Sequence, residues 1–145
     1  MKQTEQIARF LLPEIEGKRI LEVACGTGDF SLAAAHYAVY VDCIDIDPHR
    51  LNSRIAGEEN ISFQQMDAGK MNFSDEAFDS VVLYNALFHI KDQWAEVLAE
   101  CRRVLKSEGK ILIVGTWKLD TSLMEEMFGD QVDQQGAFSL VEIIN

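Results

Sequence analysis

The chain is short of positive charge. Its 145 residues hold 13 Lys and Arg against 24 Asp and Glu, a net charge of −11. Binding to a phosphate backbone draws on clustered cations, so no nucleic-acid partner is expected. The deficit deepens toward the C-terminal end. No Lys, Arg or His follows Lys118, while Asp120, Glu125, Glu126, Asp130, Asp133 and Glu142 do. Such a segment reads first as a solvated acidic surface and second as a face for cationic partners. Cysteine is scarce as well. Cys25, Cys43 and Cys101 form neither a disulfide framework nor a Cys-x-x-Cys metal site. A reducing, cytoplasmic compartment is the natural inference. The first fifteen residues carry Lys2, Glu5, Arg9 and Glu14, so they lack the unbroken apolar core of a secretory signal. No uncharged apolar stretch is long enough to cross a bilayer, and no membrane association is expected.

What is present reads as a globular chain, 48% hydrophobic and 26% charged. No repeat or linker interrupts it, which gives one domain over residues 1–145. Ile7, Phe10, Leu11 and Ile15 fall on one face of a lead helix over Thr4 to Ile15, stopped by Gly17. Strands are expected at Arg19 to Ala24, Val39 to Ile46, Ile61 to Met66, Phe78 to Tyr84, Lys110 to Val114 and Ala137 to Ile144. Helices are expected at Asp29 to Ala38, from Pro48 to about Ala56 with Asp47 as N-cap, at Asp92 to Leu105, and at Leu119 to Phe128. Five alternations of strand and helix call for an α/β fold, a mostly parallel sheet with helices on both faces.

Chemistry concentrates after the first strand. A tight strand-to-helix turn needs glycine for positive φ and close backbone approach, and Gly26 and Gly28 supply it. The N–H groups opening the next helix then face a ligand. On those glycines alone an ordinary tight turn is an equal reading. Asp45, at the end of the second strand and 19 residues beyond Gly26, can accept ribose hydroxyls. Glu22, between Leu21 and Val23, needs a partner, either backbone donors or a cationic ligand. Asp67 ends the third strand, where it can accept an exocyclic amine or cap a turn. A nicotinamide fingerprint asks for a third glycine, and Ser31 stands in its place.

Taken together, the pattern resembles the class I S-adenosylmethionine-dependent methyltransferases. The matching segments are Ile20 to Gly28, Cys43 to Pro48, Gln65 to Ala68, Phe78 to Val82 with Leu87 to Ile90, and Arg103 to Lys110, in the family's order. The resemblance implies a Rossmann-like, doubly wound sheet and S-adenosyl-L-methionine as cofactor. It places Glu22 near the cofactor's amino group. Gly26, Thr27 and Gly28, in the turn with Ala24 and Cys25, let the backbone approach the methionine and ribose. Asp45 holds the ribose and Ile46 lies against the adenine. Asp67 and Ala68 read the adenine edge, and Tyr84 and Asn85 line the reactive side. Ala24 stands where the family most often has glycine. Ser107-Glu108-Gly109 replaces Pro-Gly-Gly in what reads as a surface turn.

The family's sheet usually has seven strands. Only 27 residues follow Lys118, so the C-terminal strands are expected to be shortened, with at least one of the last two missing. Phe138 to Ile144 then becomes an edge that a second copy or a partner could cover. The expected function is methyl transfer to a small-molecule acceptor. A binding module without its own activity and a nicotinamide-dependent oxidoreductase are the alternatives. His89, between Phe88 and Ile90, reads as a packed or capping residue, and no catalytic base is assigned. His36 and His49 read as surface residues.

Overall fold

The computed structural model describes residues 2–145. The chain runs α1 (Gln3–Phe10), α2 (Leu12–Ile15), β1 (Arg19–Val23), α3 (Asp29–Ala34), β2 (Tyr40–Asp45), β3 (Ile61–Gln65), β4 (Phe78–Tyr84), α4 (Leu87–Ile90), α5 (Trp94–Val104), β5 (Leu105–Gly115), α6 (Lys118–Phe128), β6 (Asp133–Gln135) and β7 (Phe138–Ile144). The sheet order is β3-β2-β1-β4-β5-β7-β6. Strands β1 to β5 are parallel, and β7 runs antiparallel to both β5 and β6.

The period of two along each strand sorts the core. Ile20, Val41, Val82 and Leu112 face α1 and α3. Leu21, Ile44, Val81 and Ile111 face the side covered by α5 and α6. Central strands buried on both faces read as continuous apolar runs, which is why β1 and β4 were legible. The lead helix breaks once. Pro13 lacks the N–H that a continuous helix needs, so α1 ends at Phe10 and α2 restarts at Leu12.

Three expectations are corrected. The helix expected from Pro48 is two 3₁₀ turns, Pro48–Arg50 and Ser53–Gly57. Asp47 does cap, accepting from His49 N, but Asn52 caps again by accepting from Arg54 N. Asn52 N is meanwhile taken by Thr27 O at 2.8 Å, so the chain cannot wind through. The link from β3 to β4, where no helix is expected, holds none. It is gathered instead by the Arg103 guanidinium, which donates to Phe73 O, Met71 O and Asp75 Oδ1.

The second correction concerns the C-terminal strands. Both are present, and only β6, at three residues, is short. Ser139 and Leu140 pair with both β5 and β6, so that part of β7 is not an edge. The antiparallel return lets a short tight connection replace a crossover helix, which is how so few residues supply two strands.

The third concerns the bounds of the expected surface turn at Ser107 to Gly109. Ser107 and Glu108 are exposed and Glu108 has φ of 68°, but the segment is an irregularity inside β5, where the pairing jumps from Phe78–Leu105 to Ser80–Lys110, rather than a turn before the strand.

Helix α6 approaches the end of β5 closely. A Cβ on Gly115 would meet Met124 Sδ at 2.6 Å and Thr121 Cγ2 at 3.3 Å, so a side chain there would displace Met124. That approach carries Asp120 beneath α4.

Candidate functional site

In parallel sheets, ligands sit beyond the carboxyl ends of strands where the strand order reverses. Here that point is between β1 and β4. A cleft of about 520 Å³ opens there.

Its floor is the turn after β1. Ala24, Gly26 and Gly28 all have positive φ, at 53°, 57° and 78°. This coil turns the backbone toward the cleft, where Ala24, Cys25, Gly26 and Thr27 form the wall. Asp45 braces the coil. Its Oδ2 accepts from Gly26 N at 2.7 Å and its Oδ1 from Asp47 N at 2.8 Å. Each oxygen keeps a second lone pair. Hydrogen bonding with Cys43 and burial push the Cys25 thiol far up, so it stays protonated.

Ile46, 67% exposed, continues the wall. Opposite come Met66, Asp67 and Ala68 from the end of β3. Asp67 Oδ1 accepts from Gly69 N at 2.8 Å, the turn-capping role expected as one of its readings.

The far wall comes from β4 and its successors. Tyr84 stacks on Phe30, with centroids 5.7 Å apart, and burial raises its phenol above the ordinary value. Asn85 has φ of 50°. Its Oδ1 accepts from Thr116 N and Trp117 N, while its Nδ2 donates to Thr116 Oγ1. That amide ties the end of β4 to the segment after β5 and sets Trp117 on the cleft. Asn lowers the cost of positive φ through such side-chain bonds.

Helix α4 supplies His89 and Ile90. His89 is corrected from packed to open: it is exposed, with its ring 6.3 Å from that of Trp117. A four-residue helix needs outside help at its start. Ala86, its N-cap, has no side-chain acceptor. Asp120 provides it from α6, accepting from Leu87 N at 3.2 Å and Phe88 N at 3.0 Å. Asp120 is fully buried, so the reading of the acidic tail as a solvated surface fails for this residue. Burial raises its carboxyl, and the two N–H donors oppose the rise.

Two expected residues lie off the cleft wall. Glu22 is buried against α3, where Oε1 accepts from Ser31 Oγ at 2.7 Å and from Ser31 N at 3.2 Å. Its Oε2 has no partner, and burial pushes the carboxyl well above the usual range. Ser31 thus does work that a third glycine could not. Gly28 is favoured by its φ of 78°, and a Cβ there would crowd Ile55 Cδ1 at 3.1 Å and Leu51 Cδ1 at 3.3 Å.

Ten of the twelve expected residues line the cleft. Those missed are Asp47, Arg50, Met66, Ile90, Gln93 and Trp117. Asp47 and Met66 flank motif residues and were within reach of the pattern. Arg50 and Trp117 were not, because their positions follow from the 3₁₀ turns and from the Asn85 tie.

Comparison with known proteins agrees with this geometry. Residues 21–113 match the family described as "Methyltransferase domain". A demethylmenaquinone methyltransferase of Clavibacter sepedonicus is 34% identical over 102 residues, covering 68% of this chain and 41% of the relative. The crystal structure of YcgJ from Bacillus subtilis superposes with a TM-score of 0.69 at 28% identity, covering 79% of this chain and 50% of that one. A SAM-dependent methyltransferase from Aquifex aeolicus, at 18% identity, shares the fold over 98% of this chain and 89% of its own, with a TM-score of 0.75. The chain spans between 41% and 50% of the length of the curated relatives it matches.

Proposed function

The chain belongs to the class I S-adenosylmethionine-dependent methyltransferase family, and on that premise we propose that its cleft binds S-adenosyl-L-methionine and directs methyl transfer to a small-molecule acceptor. The observation that carries this reading is the braced turn, a positive-φ coil whose Gly26 N is held by Asp45 beside a 520 Å³ cleft. The volume lies within the usual range for small-ligand sites, about 300–1,000 Å³.

The residues fit the cofactor. Asp45 keeps acceptor capacity for ribose hydroxyls. Ile46, Met66 and Ala68 offer apolar surface to a base, and Asp67 retains an oxygen for its amine. Asp45, Asp47 and Asp67 give the wall an acidic character suited to a cationic ligand. When bound, S-adenosylmethionine supplies an activated methyl group on a sulfonium.

The chain's part is alignment and exclusion of water. Tyr84, Asn85, His89 and Trp117 form the wall left for the acceptor. An acceptor that holds a proton at neutral pH needs a base, and His89 is the one imidazole on that wall. The small-molecule class is supported by the relatives named demethylmenaquinone methyltransferase and by the net charge of −11.

Calorimetry with S-adenosylmethionine, S-adenosylhomocysteine and NAD tests this. Both sulfur nucleosides should bind and NAD should not. Asp45→Ala should weaken binding by about 1.5–3 kcal/mol, the range for charge-assisted hydrogen bonds. An unchanged affinity would remove Asp45 from the site. Tight binding with no turnover across an acceptor panel would favour a binding module instead.

A further inference from the structure

Among the described residues, Arg50 is the only Lys or Arg on the cleft wall, which also carries three carboxylates. Its backbone is stitched to the glycine turn. Asn52 N donates to Thr27 O, and Leu51 and Ile55 pack beneath Gly28. The side chain returns over the turn. From a Cβ built on Gly26, the Cζ, Nη1 and Nη2 of Arg50 all lie at 3.7 Å. Equal distances to three atoms of a plane mean that the guanidinium lies face-on to Gly26. Its donor edges therefore point sideways rather than at Gly26, from a side chain on the cleft wall.

Those donors are free. The nearby acids are engaged elsewhere: Asp45 by Gly26 N and Asp47 N, and Asp47 by His49 at 2.8 Å. Among the described residues the Arg50 guanidinium forms no side-chain hydrogen bond or ion pair.

The ligand of the proposed function carries a sulfonium, an ammonium and a single carboxylate. The acidic character of the wall as a whole suits the ligand's positive charge. The carboxylate needs a cation, and Arg50 is the permanent one available, with a planar fork matched to carboxylate geometry. We infer that Arg50 is a specificity-determining residue that clamps the carboxylate of the cofactor's amino-acid end. This rests on the cofactor reading above.

The test compares S-adenosylhomocysteine with 5′-methylthioadenosine, which has the same nucleoside and thioether but no amino-acid end. Calorimetry on the unaltered chain, Arg50→Gln and Arg50→Lys supplies the readout. Arg50→Gln should weaken S-adenosylhomocysteine by about tenfold and leave methylthioadenosine within about twofold. Arg50→Lys, which keeps the charge but loses the fork, should fall between. Equal losses for both ligands, or no loss for either, would overturn the clamp while leaving the cofactor reading intact. If the unaltered chain binds neither ligand, the cofactor reading falls and the clamp with it.

Discussion

Two buried acids sit on opposite faces of the sheet, Glu22 under α3 and Asp120 under α4. Both are almost wholly out of solvent, at 1% and 0% exposure. Glu22 offers two oxygens but receives donors at only one, both from Ser31. Asp120 receives an N–H at each. Burial penalises the charged form of both, yet the rise is the greater for Glu22. Each acid accepts two hydrogen bonds, so donor number does not separate them; burial is the leading cause of both rises and weighs more on Glu22, whose Oε2 is left without a partner. The same contrast holds for the strained backbone flanking the cleft. Ala24 and Asn85 both have positive φ, but Asn85 secures its conformation with three side-chain hydrogen bonds and Ala24 has none available.

The largest effect should come from removing the fully satisfied acid. Asp120→Ala strands two N–H groups at the start of α4, and unfolding by urea should show a loss of about 3 kcal/mol. Asp120→Asn, which keeps one strong acceptor, should lose less. Equal losses would show that the second bond carries no weight.

Glu22 should respond to pH instead. Its folded carboxyl sits above the unfolded value, so the folded chain holds that proton more tightly. The stabilisation is complete below the unfolded value of about 4.3 and is lost as pH rises through the folded one. Glu22→Gln cannot ionise. Its stability relative to the parent should therefore grow across that window, by at most about 1.4 kcal/mol per pH unit. A difference that stays constant with pH would mean that Glu22 titrates as it does in water.

The smallest effect belongs to the strained pair. Ala24→Gly should stabilise the fold by about 1 kcal/mol, by relieving a left-handed alanine. Asn85→Gly should destabilise it, because the tie to Thr116 and Trp117 is lost. Thermal melts that moved both variants in the same direction would erase the distinction.

Much of this was legible. The strands β1, β2 and β4 announce themselves by apolar runs, and the turn by Gly26 and Gly28. Glu22, Ser31 and Asp45 fall at spacings that a strand-turn-helix fixes locally. Sequence reading failed where a long-range contact displaced a local preference. The segment after Pro48 has a helical opening, but Thr27 O takes Asn52 N and Asn52 caps anew. The acids after Lys118 look alike on paper. Only Asp120 is buried, because α6 packs against α4 and brings it to Leu87 N and Phe88 N, 33 and 32 positions away.

By itself the sequence determined the parallel α/β sheet, the glycine turn and the acid at the end of the second strand. Those depend on periodicity and on φ, which neighbouring residues dictate. Only the tertiary structure decided which acids are satisfied, where Arg50 and Trp117 meet the cleft, and that two strands close the sheet. Those outcomes rest on hydrogen bonds and close approaches between distant segments, and no local pattern encodes the distance.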